Sequence, residues 1–247
     1  MSESGKKKVL ITGAAGFVAG LLRAHWGDRY QLRLADIKPV DDLADHEEFK
    51  QVDITKYDQI LDACQGMDVI VHLAADPSPS ADFYKTLLNL NLIGGYNGFE
   101  AAREAGCKRI VFASSINAVL GYEGQTDIGW DAPVYPLNVY GATKCWGEAV
   151  ARVYADQHDL SCICVRLGSP RFDQAGDWDA EAINGNLSGR DCAQLFRCCV
   201  DAEGVDFAIV NGVSKHRRSY MDLEVSRRVV GYEPQDGTHF PKTAPSR

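Results

Sequence analysis

The sequence predicts an α/β protein in which a parallel sheet is covered by helices on both faces. Over the first 170 residues, short β-branched and apolar runs alternate with longer helical patterns, which is typical of successive β-α-β units. A glycine-rich turn follows the first apolar run and precedes a helical pattern. The 247 residues are 45% hydrophobic and 24% charged, a composition that suits one domain with a substantial core.

Strands are predicted where short apolar runs are bounded by turn residues. These runs cover residues 9–12, 31–35, 49–52, 69–73, 109–113, 161–167 and 207–211. Two long helices are predicted over residues 84–105 and 139–158, and shorter ones over 191–202 and 221–230. Asp, Gly and Asn are dense over residues 173–186, which predicts an irregular loop, and the polar tail from Pro234 is expected to be loosely held.

The overall charge and the cysteine pattern exclude several classes of protein. A net charge of -8 disfavours binding to nucleic acid, because phosphates would be repelled. No apolar run approaches the roughly 20 residues of a membrane span, and no signal-peptide pattern is present, so we expect a cytoplasmic protein with no membrane partner. The eight cysteines are scattered without paired CxxC units, which predicts free thiols and no metal site.

The glycine-rich turn, TGAAGFVAG at residues 12–20, is the first candidate binding site. Gly13 permits a tight turn, and Gly16 lets a pyrophosphate approach the backbone at a helix N-terminus. Ala15, Phe17 and Val18 complete this turn. The pattern predicts a Rossmann-like, doubly wound sheet that binds a dinucleotide.

Asp36 indicates which dinucleotide is bound. It ends the second strand about twenty residues after the turn, where a carboxylate accepts hydrogen bonds from both hydroxyls of the adenosine ribose. The same charge repels a 2′-phosphate, and Ile37 and Lys38 follow instead of an arginine. The sequence therefore predicts NAD rather than NADP, with an aspartate that merely caps a loop as the alternative.

Further cofactor contacts are predicted at the ends of the third and fourth strands. Asp53 and Ile54 suit an adenine contact, although a simple turn aspartate explains Asp53 nearly as well. The fourth strand ends in Leu73, Ala74 and Ala75, which would let the backbone approach the ribose and phosphates of the cofactor.

A second group of residues has the chemistry of a redox site. Tyr140 and Lys144 are four residues apart and share one helical face. A tyrosine that acts as a base near pH 7 needs its pKa lowered by roughly three units, and the Lys144 cation and a positive nicotinamide provide such a field. Ser115, at the end of the fifth strand, is predicted to orient the reacting oxygen while Tyr140 accepts its proton. Serines that cap strand ends are the alternative for Ser115 and its neighbour Ser114.

Four other positions, polar or apolar, are also interpreted from the sequence. Asn91 is a candidate to brace Lys144 and the cofactor, or else forms an ordinary internal hydrogen bond. Ser114 and Leu167, at two strand ends, are assigned to the cofactor site. His72 lies within an apolar strand, which favours a core histidine over a ligand or base.

Together these motifs resemble the extended short-chain dehydrogenase/reductase superfamily, and within it the NAD-dependent epimerase/dehydratase group. The resemblance covers about residues 8–170 and includes TGAAGFVAG, HLAA at 72–75, NLIGGYNGFEAA at 91–102, ASS at 113–115 and YGATK at 140–144. It implies an NAD-binding Rossmann domain over residues 1–170 that carries the catalytic Ser115, Tyr140 and Lys144. Residues 171–247 would form a small substrate-binding appendage integrated with the same domain.

Within that group, the segments FASS, YGATKCWGEAVARVY, VRLGS and GYEP resemble the uronate dehydrogenases, which oxidise the anomeric carbon of sugar acids. This resemblance implies a homo-oligomer that pairs through the two long helices. It also implies that an arginine after the sixth strand holds the substrate carboxylate, and Arg171 and Arg190 are both candidates. The implied substrate pocket comprises Ser78, Ser115, Asn117, Tyr140, Ser169 and Arg171.

Three functions stay open on the sequence alone. The first is an NAD-dependent dehydrogenase of a sugar or sugar acid, the second a sugar epimerase or dehydratase, and the third a non-catalytic dinucleotide-binding protein. Only 77 residues follow Pro170, which is short for a lobe that grips a nucleotide. A free monosaccharide or sugar phosphate is therefore predicted in preference to a nucleotide-linked sugar.

Overall fold

A computed structural model describes residues 5–122, 124–171 and 182–237. Its strands are β1 (Lys8–Thr12), β2 (Gln31–Asp36), β3 (Glu47–Gln51), β4 (Val69–His72), β5 (Arg109–Ser115), β6 (Ser161–Leu167), β7 (Ser169–Arg171), β8 (Asn186–Ser188) and β9 (Phe207–Gly212). Its α-helices are α1 (Phe17–Trp26), α2 (Tyr57–Cys64), α3 (Gly94–Glu104), α4 (Val139–Gln157), α5 (Gly189–Asp201) and α6 (Glu224–Val230). A π-helix (Phe83–Ile93) leads into α3, and short 3-10 turns occupy Gly27–Arg29 and Ile116–Ala118.

Seven strands form one parallel sheet in the order β3-β2-β1-β4-β5-β6-β9. The strand order reverses direction between β1 and β4, which is where doubly wound sheets bind ligands at the carboxyl ends of their strands. This topology confirms the predicted Rossmann-like fold. Because β9 pairs with β6, the C-terminal part of the chain completes the same sheet.

The alternation of side chains along each strand divides the core into two layers. Val9 and Ile11 of β1 pack with α1 and α5 on one face of the sheet. Leu10 of the same strand packs with α2, α3 and α4 on the other face. Successive strand residues point to opposite faces, so the central strands are buried on both sides and read as nearly continuous apolar runs.

The long helix predicted over residues 84–105 is two segments of different pitch. The Gly94 N–H donates to the carbonyl of Asn89, five residues earlier, so the first segment is a π-helix. A Cβ on Gly94 would lie 2.5 Å from the end of the Ile54 side chain, so a larger residue at this junction would require that side chain to move. Apolar spacing did not reveal the change of pitch.

The last helix begins at Glu224 instead of at the predicted residue 221. Met221 is paired with Ile128 in an isolated β-bridge, and the Asp222 N–H donates to the Ile128 carbonyl. Backbone groups engaged in this bridge cannot also close a helical turn. The same region contains the parallel pair β7 and β8, which the sequence did not predict, whereas most of the predicted loop 173–186 lies outside the described residues.

The expectation of a loose tail from Pro234 is wrong for its described part. Asp236 is buried and accepts hydrogen bonds from the Ser188 hydroxyl at 2.7 Å and from Arg190 Nε at 3.1 Å. Its own N–H donates to Asp191. Buried partners therefore hold a segment whose composition is that of a loop.

None of the helices in the described ranges is long and apolar enough to cross a membrane.

Candidate active site

A cavity of about 670 Å³ opens at the carboxyl ends of the central strands, on both sides of the switch point between β1 and β4. Most of the residues that the sequence assigned to cofactor or substrate line this cavity. They are Gly13, Gly16, Phe17, Val18, Asp36, Asp53, Ile54, Leu73, Ala74, Ala75, Ser114, Ser115, Asn117, Tyr140, Lys144, Leu167 and Ser169. The fold thus brings together residues up to 156 positions apart in the chain, from Gly13 to Ser169.

The glycine turn is packed tightly against the end of β4. Gly13 has a φ of 71°, and a Cβ there would lie 2.9 Å from the backbone N and Cα of Ala74. A Cβ on Gly16 would lie 3.0 Å from the Gly13 carbonyl oxygen. Gly16 also caps α1 without a side chain, so a ligand can approach the positive end of that helix.

Asp36 ends β2 with its carboxylate held by two backbone groups. Its Oδ2 accepts from the Ala15 N–H at 3.0 Å and its Oδ1 accepts from the Lys38 N–H at 2.9 Å. Ala15 therefore orients Asp36 through its backbone, and it is not among the residues that line the main cavity. The open glycine turn and the oriented acid at one end of the cavity fit the adenosine half of NAD.

Asp53 lies in a turn and also lines the cavity. Its Oδ1 accepts hydrogen bonds from the N–H and the hydroxyl of Thr55, at 2.9 and 2.7 Å. Both interpretations of Asp53, the turn and the cavity wall, are thus compatible with its position. Ile54 beside it packs against Gly94 at the start of α3.

Thr12 and His72 are buried residues next to the cavity wall. Thr12 Oγ1 accepts from the N–H groups of Leu73 and Ala74, both at 3.2 Å, so its proton is donated to His72 Nδ1 at 3.0 Å. Burial, with a smaller effect from the Lys144 cation, lowers the pKa of His72 to about 3. His72 is consequently a neutral core histidine, as the sequence predicts, and Thr12 is a supporting residue that the sequence analysis missed.

Tyr140 and Lys144 lie on the first two turns of α4, and both are buried. Lys144 Nζ donates to the Ala113 carbonyl at 2.8 Å and lies 5.6 Å from the centre of the Tyr140 ring. Burial lowers the pKa of Lys144 to about 8. Burial also raises the pKa of Tyr140 above its usual value, and a hydrogen bond with Ser115 opposes that rise.

Next to these residues lies a buried salt bridge. Arg166 Nε and Nη2 donate to the two carboxylate oxygens of Glu148, both at 2.9 Å, and its Nη1 donates to the Trp130 carbonyl at 3.1 Å. The Ser114 hydroxyl donates to Glu148 at 2.7 Å. Ser114 is therefore part of this salt-bridge cluster, defined as Ser114, Glu148 and Arg166, as well as part of the cavity wall.

Four of the residues that the sequence assigned to the site do not line the cavity, namely Ala15, described above, and Asn91, Ser78 and Arg171. Asn91 bonds the backbone of Asp76 and donates to the Thr143 hydroxyl at 3.0 Å, and these hydrogen bonds do not include Lys144. The hydroxyl of Ser78 pairs with that of Ser80. Arg171 Nε donates to Asn186.

Arg190, the alternative candidate for holding a substrate carboxylate, is paired with Asp236 instead. Arg190 lies in the first turn of α5, which packs with α1 on one face of the sheet, and Asp236 of the C-terminal segment reaches it there. Within the described residues, no arginine lines the cavity.

Sequence reasoning also missed much of the cavity wall. Apolar and small residues such as Ile37, Leu90, Ile116 and Pro170 contribute to it. In the sequence these residues look the same as core or turn residues, because nothing in their chemistry marks a ligand contact. No group of His, Cys, Asp and Glu residues suited to a metal ion is found in the described ranges.

Together, a dinucleotide-type glycine turn, an acid at the end of β2 and a buried serine, tyrosine and lysine define an oxidoreductase of the short-chain type. Residues 9–172 match the NAD dependent epimerase/dehydratase family. The chain belongs to this family, which confirms the predicted family and the predicted cofactor, NAD.

Individual relatives narrow the class of enzyme. The chain is 36% identical to the NAD-dependent glucose-6-phosphate dehydrogenase of Haloferax volcanii, covering 93% of this chain and 94% of that protein. It is 32% identical to a uronate dehydrogenase of Pseudomonas putida, covering 96% and 87% of the two chains. A mutant uronate dehydrogenase from Agrobacterium tumefaciens, solved with NAD, superposes with a TM-score of 0.84 at 32% identity, covering 94% of this chain and 86% of that one. These relatives confirm the prediction of an NAD-dependent sugar dehydrogenase.

Proposed function

We propose that this enzyme oxidises the anomeric hydroxyl of a free monosaccharide, or of its acid or phosphate derivative, to the corresponding lactone. The observation that carries the proposal is the position of Ser115, Tyr140 and Lys144 at one end of a cavity whose other end holds the glycine turn and Asp36. A sugar bound between these three residues and the nicotinamide end of the cofactor would place its C1 hydroxyl next to Tyr140 and its C1–H next to the nicotinamide.

The chain's own residues supply the proton chemistry. When bound, NAD supplies the acceptor for two electrons. Tyr140, as a phenolate, accepts the proton of the anomeric hydroxyl, and Ser115 donates a hydrogen bond to the same oxygen. Lys144 stabilises the phenolate, since its cation lies 5.6 Å from the Tyr140 ring. The C1–H and O–H bonds break, the C1=O bond forms, and the cyclic sugar becomes a lactone.

Binding of the sugar is assigned to neutral groups. Ser115, Asn117, Tyr140 and Ser169 line the substrate end of the cavity, and their hydroxyl and amide groups suit the hydroxyls of a sugar ring. The relatives named above act, by their names, on glucose 6-phosphate and on uronates, which are free sugars with an anionic group. Arg171 does not line the cavity, but it directly follows Ser169 and Pro170, which do, and it is the proposed contact for an anionic group that extends beyond the cavity rim.

The test is a screen of free sugars with NAD, following NADH absorbance. The panel contains glucose 6-phosphate, glucuronate, galacturonate, arabinose and UDP-glucose. We expect NADH to accumulate in proportion to product with at least one free sugar and not with UDP-glucose. Tyr140→Phe should lower kcat by roughly 10³-fold, because it removes the base but keeps the ring.

Three outcomes would contradict the proposal or one of its assignments. Conversion of a sugar without net NADH would indicate an epimerase or dehydratase, which returns its hydride. Retention of activity in Tyr140→Phe would show that another group accepts the proton. NADPH formation in preference to NADH would contradict the assignment of Asp36 to the adenosine ribose.

A homo-oligomer in the cytoplasm is also proposed. Tyr96 and Val153 are about half exposed on the outer faces of α3 and α4, and Ile93 and Val139 are similarly exposed nearby. An apolar surface across two helices suits a second copy of the chain. All eight cysteines are free thiols, which suits a reducing compartment. Sedimentation of a monomer at micromolar concentration would rule out the oligomer.

A further inference from the structure

A chain of hydrogen bonds leads from the start of α4 to Ser115. Asn138, the N-cap residue of α4, accepts from the Gly141 N–H at 2.7 Å through its Oδ1. Its Nδ2 donates to Asn117 Oδ1 at 2.8 Å. Asn117 in turn donates to Ser115 Oγ from both its Nδ2 and its backbone N–H, each at 3.1 Å.

The direction of the bonds between the side chains in this chain is fixed by one backbone group. The Gly141 N–H can only donate, so the atom of Asn138 that faces it must be the amide oxygen. The amide nitrogen of Asn138 then faces Asn117 and requires an oxygen there. The amide nitrogen of Asn117 is thereby turned towards Ser115.

Ser115 Oγ consequently accepts two hydrogen bonds, which occupy both of its lone pairs. Its proton has to be donated elsewhere. Ser115 lines the cavity beside Tyr140, so a sugar oxygen and the phenolic oxygen are the acceptors within reach.

We propose that Asn138 is a positioning residue which, through Asn117, fixes Ser115 as a hydrogen-bond donor towards the reacting oxygen and Tyr140. The catalytic meaning of this inference rests on the proposed function. It assigns Asn117 a second task besides lining the substrate end of the cavity. It also explains why the cap is asparagine, since aspartate would cap α4 equally well but has no donor for Asn117.

The decisive variant is Asn138→Asp. The carboxylate keeps the cap on Gly141, and a negative charge is favourable at a helix N-terminus, so the thermal midpoint should be unchanged or higher. Without a donor from residue 138, the Asn117 amide can turn its oxygen towards Ser115, which would then donate to Asn117. We expect kcat to fall about tenfold with little change in KM for NAD.

Asn138→Ser separates the lost donor from the added charge. A serine also caps the helix but is too short to reach Asn117 as asparagine does. Its kcat should fall to a similar extent without a new charge near Tyr140. Asp82→Asn is the matched control. Asp82 is the N-cap residue of the π-helix and accepts from the Lys85 N–H, so this variant exchanges an aspartate for an asparagine at a helix cap away from Ser115.

The pH profile distinguishes a positioning role from a structural one. The charged groups near Tyr140 are Lys144, whose Nζ lies 5.6 Å from the centre of the Tyr140 ring, and Asp76 after β4, which raises the pKa of Tyr140, whereas Ser115 on β5 lowers that pKa. Loss of the Ser115 bond removes an effect that lowers the pKa of Tyr140. The acid limb of the kcat profile should therefore move to higher pH in both Asn138 variants and stay in place in Asp82→Asn.

An NMR titration of isotope-labelled tyrosine, with the Tyr140 signal assigned from Tyr140→Phe, gives a readout that needs no turnover. The pKa of Tyr140 should be higher in both Asn138 variants than in the wild type. The proposal is overturned if that pKa and kcat are unchanged, or if kcat falls only in step with the thermal midpoint. Failure of the wild type to oxidise any sugar would instead contradict the proposed function, and the titration would still test the role of Asn138.

Discussion

Two buried cations lie near the end of β5, where Lys144 bonds Ala113 and Arg166 of β6 is paired with Ser114, and they differ in their partners. Lys144 is 5% exposed, and its one hydrogen-bond partner among the described residues is the Ala113 carbonyl. Arg166 is 2% exposed and donates to both oxygens of Glu148 and to the Trp130 carbonyl. Glu148 lies one helical turn after Lys144 on α4, but its carboxylate forms its ion pair with Arg166.

This difference in partners indicates different roles: Lys144 is available for chemistry, whereas Arg166 stabilises the structure. A buried charge without a counter-ion is costly, and the lowered pKa of Lys144 reflects that cost. A paired and fully hydrogen-bonded charge is tolerated, although removing one partner leaves the other unpaired. We therefore expect variants of the two regions to change stability in opposite directions.

The largest change in stability is expected for Glu148→Ala. It leaves the Arg166 guanidinium buried without its carboxylate, and it removes the acceptor of the Ser114 hydroxyl. The free energy of unfolding should fall by about 3–5 kcal/mol, measured by urea denaturation. Asp156→Ala, which breaks the exposed Arg152 pair on the same helix, is the control and should cost less than about 0.5 kcal/mol. Equal losses would show that burial of the pair has no special role.

Lys144→Met should act in the opposite direction. Replacing the buried ammonium with an apolar chain should raise the free energy of unfolding by about 2–3 kcal/mol at pH 7, while activity falls to background. The pKa of Lys144 in the folded protein is about 8, below its ordinary 10.5. The unfolded wild type thus binds more protons between these values, so the wild type gains stability as pH rises from about 8 to about 10.5.

The advantage of the Met variant should consequently be full below pH 8 and shrink above it. Denaturation of both proteins across this pH range checks the sign. Lys85→Met, at an exposed lysine, is the control for the exchange of side chains. A Met variant that is less stable than the wild type at pH 7 would mean that the Ala113 hydrogen bond outweighs desolvation.

The smallest effect is expected for Ser114→Ala. It removes one hydrogen bond to Glu148 but leaves both bonds from Arg166, so stability should fall by about 1 kcal/mol. Thermal unfolding against Ser80→Ala, an exposed serine, measures the difference. If the free energy of unfolding fell as much as in Glu148→Ala, the Ser114 hydrogen bond would be as important for stability as the salt bridge itself.

Much of the cofactor site could be predicted because its residue types are locally constrained. Gly13 is required by a positive φ and by the approach of Ala74, and such positions appear in the sequence as glycine next to a strand. Tyr140 and Lys144 are recognisable because four residues along a helix return to one face. The substrate side was less predictable, since Ser78 and Arg190 bond to neighbours that the sequence does not indicate.

The parallel sheet, the glycine turn and the spacing of the catalytic side chains follow from the amino-acid sequence alone, because they depend on periodicity and on residues near one another in the chain. The pairing of the polar groups, in contrast, depends on how the strands and helices pack. Glu148 is spaced to pair with Lys144 on α4 but forms its salt bridge with Arg166 of β6. Asn138 caps α4 and also donates a hydrogen bond to Asn117. Such choices depend on which strands and helices pack together, and a hydrogen bond forms wherever that packing brings donor and acceptor within reach and excludes water.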